Sequence, residues 1–440
     1  MPVPSQPRRG PLVTDLYELT MAVSYLRRGM VGSATFSLFA RRLPANRGFF
    51  VAGGLEDCMA YLESYEFAPD ELQWLLDAGF AADDVARLAD LRFTGDVWAI
   101  PEGRVVLPNE PFLEVTAPIA EAQLVETFLV NQVTFQTSIA TKAARCRLAA
   151  PRMDLIDFAL RRTHGVDAGM AVARLTAMAG FRATSNVEAS RRYGLRAAGT
   201  MAHSYIQAFR SETAAFDAFA EDLPGRTTLL VDTYDTLAGV RAAIEVFRRR
   251  TPPGPLAVRL DSGDLSSLAF QTRRLLDEAG LLDVRIIVSG GLDEYDLRRL
   301  ADAGAPIDAA GVGTKVGVAA DAPYLDSAYK LVEYEGRGVR KLSTGKATLP
   351  GRKQVWRRPW PAPDVLGLRD EPGPAGGEPL LVEVMRNGRR VAPPDAMDVL
   401  AQRCAADLAA LPEAARAMRD PVAPEVVLSD RLVAQVGGHR

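Results

Sequence analysis

Histidine is nearly missing from this chain: three in 440 residues, His164, His203 and His439. So few imidazoles cannot build a multi-histidine cage, which excludes a zincin-type centre and leaves His203 and His164 as candidates for imidazole chemistry. Lysine is almost as scarce, 6 residues against 46 arginines. Five of the six, Lys315, Lys330, Lys341, Lys346 and Lys353, fall within one stretch of 39 residues. A clustered point charge suits a mobile phosphate, and a solvated hairpin face is the plainer alternative. The three cysteines, Cys58, Cys146 and Cys404, show no CxxC spacing, so neither a disulfide framework nor a thiolate metal site is expected. No uncharged apolar run reaches the roughly 18 residues of a membrane span, and the opening MPVPSQPRRG has no apolar signal core. A cytoplasmic protein without membrane contact is expected. A net charge of -3 gives no global attraction for nucleic acid, so any phosphate binding must be local.

What is present describes a globular protein, with 48% apolar and 24% charged residues and a length that suits about two domains. Residues 1–118 mix an amphipathic helix (LVTDLYELTMAVSYLRRG) with strand-like ATFSLFARRL and a punctuated group at 91–116, and read as an N-terminal α/β domain. A long helix is expected from Ile119 to about Leu148. A rhythm then begins: LIDF, ATSNV, LRAAGT, TTLLVD, LAVRLDSG, RIIVSGG and IDAAGVGT, most of them short apolar runs ending in Asp, Ser, Thr or Gly, with amphipathic helix in the longer gaps. Strand, polar end and helix, repeated about seven times over 119–334, predict a parallel (β/α) barrel, with an open doubly wound sheet as the alternative. The last part, 335–440, is expected to be a C-terminal extension that completes the N-terminal domain in part. It holds a basic strand segment, a linker or loop at 359–378 and a helix over 395–419.

The strand ends carry the residues fit for chemistry. VSGG (288–291) and GVGT (311–314) close the last two strands, where backbone N–H groups of barrel loops often hold phosphate. Thr314 adds a hydroxyl and Lys315 a charge; tight turning alone would also account for the glycines. In VRLDSGD (258–264), Asp261 suits sugar hydroxyls and Arg259 points the same way along the strand, unless the two simply satisfy each other. LIDFALRR offers Phe158 as a ring face and Arg161 as a phosphate partner; Phe158 as ordinary core weighs equally. GTMAHSY followed by LLVDTYD suggests a pair in which Asp232 orients His203 and leaves one ring nitrogen nucleophilic, against a structural histidine.

These segments, with TDLYELTM (14–21), IDFALRR (156–162), DTYDT (232–236), VSGGLDE (288–294), GVGTK (311–315) and KLSTGKATLPGRKQVWR (341–357), resemble the nicotinate phosphoribosyltransferase family over roughly residues 11–357. The resemblance implies an irregular parallel (β/α) barrel of the type II phosphoribosyltransferase kind behind an N-terminal α/β domain. It implies joining nicotinate to phosphoribosyl pyrophosphate, giving nicotinate mononucleotide and pyrophosphate in NAD salvage, with magnesium as cofactor. ATP would be a co-substrate, coupled through a phosphohistidine at His203, with Asp232 as its orienting acid. Nicotinate would lie between Phe158 and Tyr17, the latter from the neighbouring subunit of a homodimer, its carboxylate on Arg259 and Thr200. Arg161, Asp261, Ser262, Gly290, Gly291, Gly313 and Thr314 would bind phosphoribosyl pyrophosphate, and Lys315, Lys341, Lys346 and Lys353 suit its phosphates or those of ATP. Ser185 stands where nicotinamide enzymes carry an acid, which favours a carboxylate substrate over an amide.

Overall fold

Short apolar runs ending in polar residues become the parallel strands of one compact unit, Lys142–Ala320. The computed structural model describes residues 10–225, 227–250, 254–343 and 346–437; His439 and the middle of the lysine-rich segment, 344–345, lie outside them. The strands are β1 (Asp154–Asp157), β2 (Ala183–Thr184), β3 (Thr228–Leu230), β4 (Ala257–Leu260), β5 (Arg285–Val288) and β6 (Ala309–Val312). Among the described residues they form one six-stranded sheet in the order β2-β1-β6-β5-β4-β3, every pair parallel. Helices follow the strands, among them Val166–Met178, Thr236–Arg250, Leu265–Glu278 and Glu294–Asp302. The sheet curls: Ala183 from one edge strand and Thr228 from the other line the same cavity as Ile156, Ile287, Ala257 and Ala309. That makes the unit an irregular (β/α) barrel. LRAAGT, third of the seven expected segments, contributes only a parallel bridge from Ala197 to Thr184. It lies beside the edge strand β2, only two residues long, which leaves it little to pair with.

The second unit gathers Met1–Thr141 with Asp321–Arg440, so the structural division differs from boundaries at 118/119 and 334/335. Strand pairing is the reason. Ser327–Tyr334 lies antiparallel to Ser33–Ala40 over its whole length, and Val382–Arg386 pairs with Asp96–Ala99 in the same seven-stranded sheet. The interior strand Ser33–Ala40 is buried on both faces after its first residue rather than alternating, and Phe36 stacks on Tyr329 at 4.8 Å between ring centroids. Each such buried ring contributes about 1.5–3 kcal/mol relative to exposure. The expected long helix is two, Ile119–Leu124 and Glu126–Ala149. Within 359–378, read as a loop, Asp364–Leu368 forms a strand against Lys353–Trp356; its proline and glycine neighbours mask a short run whose Asp364, Leu366 and Leu368 all point inward. The helix expected over 395–419 is Met397–Ala410 and then Glu413–Arg416, parted at Pro412. All three cysteines are free and buried.

Candidate active site

Register builds the site at the C-terminal ends of the barrel strands, the end where such folds carry their chemistry. Pairing of Leu260 with Val288 sets the next residues, Asp261 and Ser289, side by side. Ser289, 2% exposed, hydrogen-bonds Asp261 Oδ1, and Arg259 donates to three partners: Nε to Ser289 Oγ (2.7 Å), Nη1 to Thr200 Oγ1 (3.0 Å) and Nη2 to Asp261 Oδ1 (2.7 Å). One N–H on each terminal nitrogen is left for a ligand. The guanidinium carbon sits 5.3 Å from the centre of the Phe158 ring. Burial pushes the Asp261 carboxyl up, yet Ser289, Arg259 and His203 together hold it below the usual carboxylate range. Phe158 and Thr200 also line the barrel cavity, about 370 Å³, a volume suited to a small flat ligand.

Phe158 is fixed by the strand it follows. Its N–H donates to Val312 O at 2.8 Å, and a Cβ at Gly311 would sit 2.4 Å from its ring, so this glycine makes room for the aromatic. Asp157, 1% exposed, ties the turn by accepting from Ala159 N (2.8 Å) and Thr184 Oγ1 (2.6 Å). Arg161 follows in a short 3-10 turn with its side chain exposed.

His203 begins the short helix His203–Gln207, and its side chain is 41% exposed. Nδ1 bonds Thr233 Oγ1 at 3.1 Å, and Nε2 faces Asp261 Oδ2 at 4.0 Å. The expected Asp232–His203 pair is absent. Asp232 Oδ2 instead accepts from Asp261 N (2.9 Å) and Ser262 Oγ (2.6 Å), because β3 and β4 lie side by side and their ends meet first. Among the described residues, Oδ1 of Asp232 is buried without a partner. Nearby, burial, then Asp232 and Asp235, push the Glu212 carboxyl up to about 7.

The two glycine turns follow β5 and β6. Gly290 has φ +105°, and a Cβ there would lie 2.1 Å from Asp261 O, so chain approach as well as turning demands glycine. Gly291, Gly313 and Thr314 complete the turns, with Thr314 exposed. Lys315 is not free for phosphate: Nζ lies 2.8 Å from Asp293 Oδ2 and 3.2 Å from Asp296 Oδ2.

Four expected residues belong to the other unit. Tyr17, on the helix Leu16–Arg27, is 47% exposed. Lys341 and Lys346 are exposed, whereas Lys353 is 2% exposed and ion-paired with the buried Glu114 at 3.2 Å. Lys353 is therefore a core cation, because its strand, in a four-stranded sheet, packs against the strand of the seven-stranded sheet that carries Glu114. Sequence reading missed Ser289 and Thr233, and missed Glu18 beside Tyr17. The signal for the first two was their place: each adjoins a strand-ending residue already singled out.

Among the described residues no group of three or more His, Cys, Asp or Glu side chains is placed to hold a metal ion, and no helix is long and apolar enough to cross a membrane. Family models for the nicotinate phosphoribosyltransferase N-terminal domain and the nicotinate phosphoribosyltransferase family match residues 12–134 and 153–316. A nicotinate phosphoribosyltransferase of Mycobacterium tuberculosis is 48% identical over 436 residues, covering 97% of this chain and 93% of that one. One from Bacillus subtilis is 44% identical over 356 residues, covering 79% and 72%. The crystal structure of human nicotinic acid phosphoribosyltransferase superposes with a TM-score of 0.86 at 29% identity, covering 97% of this chain and all of that one. By sequence and by fold, the chain belongs to the nicotinate phosphoribosyltransferase family.

Proposed function

We propose that this protein transfers the phosphoribosyl group of phosphoribosyl pyrophosphate to nicotinate, releasing pyrophosphate, as an entry into NAD salvage. Family membership supports the reaction. The observation that carries the residue assignment is the Arg259 guanidinium, fixed by Ser289, Thr200 and Asp261 beside the Phe158 ring. A flat aromatic carboxylate fits that pair: ring on ring, and carboxylate on Arg259 with Thr200. A fixed cation discriminates against the neutral amide, which cannot form the charge-assisted pair.

Displacement at the anomeric carbon breaks the C–O bond to pyrophosphate and forms a C–N bond to the pyridine nitrogen, through an oxocarbenium-like state. Catalysis is then chiefly positioning and charge. Asp261 uses Oδ1 on Arg259 and Ser289, which leaves Oδ2 for a ribose hydroxyl. Ser262, Arg161, Thr314 and the turns at Gly290, Gly291 and Gly313 receive phosphate oxygens. The donor set fits magnesium held largely by substrate: among the described residues Asp232 offers a buried carboxylate oxygen with no protein partner, Asp261 lies beside it, and no protein cage surrounds them. When bound, magnesium neutralises charge on the departing pyrophosphate.

ATP coupling is assigned to His203. Nδ1 lies 3.1 Å from Thr233 Oγ1, and in the tautomer that carries its proton on Nδ1 and donates it to this hydroxyl, Nε2 keeps its lone pair. Attack of Nε2 on the γ-phosphorus forms an N–P bond and releases ADP, and water later cleaves that bond to phosphate. Tyr17 is assigned to the nicotinate pocket of a neighbouring subunit, and the exposed Lys341 and Lys346 to ATP or pyrophosphate. The test is incubation of the pure protein with radiolabelled nicotinate, phosphoribosyl pyrophosphate, magnesium and ATP. Labelled mononucleotide, undiminished by excess nicotinamide, is expected; product only from nicotinamide or quinolinate would reject the substrate assignment.

A further inference from the structure

Lysine 315 follows directly on the GVGT turn, where a cation invites assignment to substrate phosphate. Its surroundings argue otherwise. Both carboxylates that hold it, Asp293 and Asp296, belong to the start of the helix Glu294–Asp302, which follows the other glycine turn. Asp293 divides its oxygens: Oδ1 caps the helix by accepting from Tyr295 N (2.9 Å) and Asp296 N (3.0 Å), and Oδ2 takes Lys315. An ammonium between two carboxylates has little net field left for a phosphate.

The sheet itself does not fix the two turns to each other. β5 and β6 pair only at Ile287 with Ala309 and Val288 with Ala310, before either turn begins. The next residue after Asp293, Glu294, is fully buried and ion-paired with Lys142 Nζ (2.5 Å) and Arg145 Nε (3.1 Å), both from the end of the helix Glu126–Ala149. The VSGG turn is thereby anchored to the interior of the barrel unit, and Lys315 hangs the GVGT turn on that anchor.

We propose that Lys315 is a positioning residue, which clamps the two glycine turns at the spacing a ribose phosphate requires through its bonds to Asp293 and Asp296. The inference rests on those turns being the phosphate site. A displacement of about 1 Å in a ligand-gripping group is enough to cost large factors in binding or rate, so the clamp acts without touching substrate.

The test uses the full-length protein, with steady-state kinetics for each substrate and a melting temperature for each variant. Lys315→Met is expected to raise KM for phosphoribosyl pyrophosphate about tenfold, more than it lowers kcat, and to move KM for nicotinate less than about twofold. Lys315→Arg, which can still span the two carboxylates, recovers most of the loss. The deciding variant is Asp293→Asn with Asp296→Asn, since asparagine keeps the cap but frees the lysine's charge. A clamp requires KM for phosphoribosyl pyrophosphate to rise here too, and to rise no further when Lys315→Met is added. An unchanged or lowered KM in the double variant would show that Lys315 contacts phosphate directly and overturn the clamp. Equal rises for both substrates with a lower melting temperature would overturn it as well, leaving only a structural ion pair. Thr314→Val separates the underlying reading: if it leaves KM for phosphoribosyl pyrophosphate unchanged, the phosphate site lies elsewhere, whatever Lys315 does.

Discussion

Thr233 shows how much a single hydroxyl is asked to decide. A neutral imidazole carries one proton, and whichever nitrogen holds it is no longer a nucleophile. A 3.1 Å contact joins Nδ1 of His203 to Thr233 Oγ1, a hydroxyl able to accept from Nδ1–H and so suited to a ring whose Nε2 keeps its lone pair, while Asp232 is occupied with Asp261 and Ser262. Thr233→Val keeps the shape and removes the partner. Loss of a hydrogen bond worth about 1 kcal/mol corresponds to roughly a fivefold effect, so ATP hydrolysed per mononucleotide formed should fall by about that factor. Thr233→Ser should restore it, and His203→Ala should abolish coupling while leaving some transfer. Phosphate release measured alongside mononucleotide formation checks this; full coupling in His203→Ala would move the phosphoacceptor to another residue. Little of this was legible in the linear chain. His203 and Asp232 stood out as residue types at strand ends. Which of them bond depends on how β3 lies against β4, some 30 residues further along, and no local pattern encodes that register.

Elements were more legible than contacts, because periodicity is a local property. Short apolar runs with a polar end became barrel strands, from RIIV (β5) and TLL (β3) to the small-residue AAGV (β6). LRAAGT had the spacing, but beside the two-residue β2 it stayed a single bridge. Asp364–Leu368 was hidden for the opposite reason, its strand pattern being obscured by flanking proline and glycine. The first helix of the chain carries an element-scale prediction. Glu18, in the first turn of Leu16–Arg27, accepts from Thr14 Oγ1 and from Thr127 N (3.1 Å) and Thr127 Oγ1 (2.8 Å), tying this helix to Glu126–Ala149. Burial pushes its carboxyl from 4.5 up to about 7, against the lowering effect of those hydrogen bonds. A raised value in the folded state means the folded protein holds the proton more tightly. The stabilising contribution is complete below about pH 4.5 and is lost as pH rises through about 7, up to about 3 kcal/mol in all. Glu18→Gln removes that titration. Melting curves of both proteins from pH 5 to pH 8 should diverge, the parent losing stability relative to the variant; parallel curves would show that Glu18 keeps an ordinary carboxyl.

At the scale of the whole molecule, the assigned pocket needs a second aromatic ring. Phe158 supplies one aromatic face at the end of β1, and the second assigned ring, Tyr17, is 47% exposed on its helix beside Leu16, which is 63% exposed. An aromatic and a leucine left to solvent in one helical turn are the sort of surface that an isologous contact buries. If each site takes its second ring from the partner, then Tyr17 and His203 of one working site come from different chains. Two crippled chains should then rescue each other. Co-expression of differently tagged Tyr17→Ala and His203→Ala chains yields mixed dimers in which one site has both residues intact and the other has neither. Random assortment makes half the dimers mixed, so the pool should recover about one quarter of the parent's ATP-coupled activity, and the purified mixed dimer about one half. Each variant alone should fall well below those levels. Were both residues supplied by the same chain, every site in the mixture would lack one of them, and the mixed dimer would show no more coupled turnover than the average of the two variants alone.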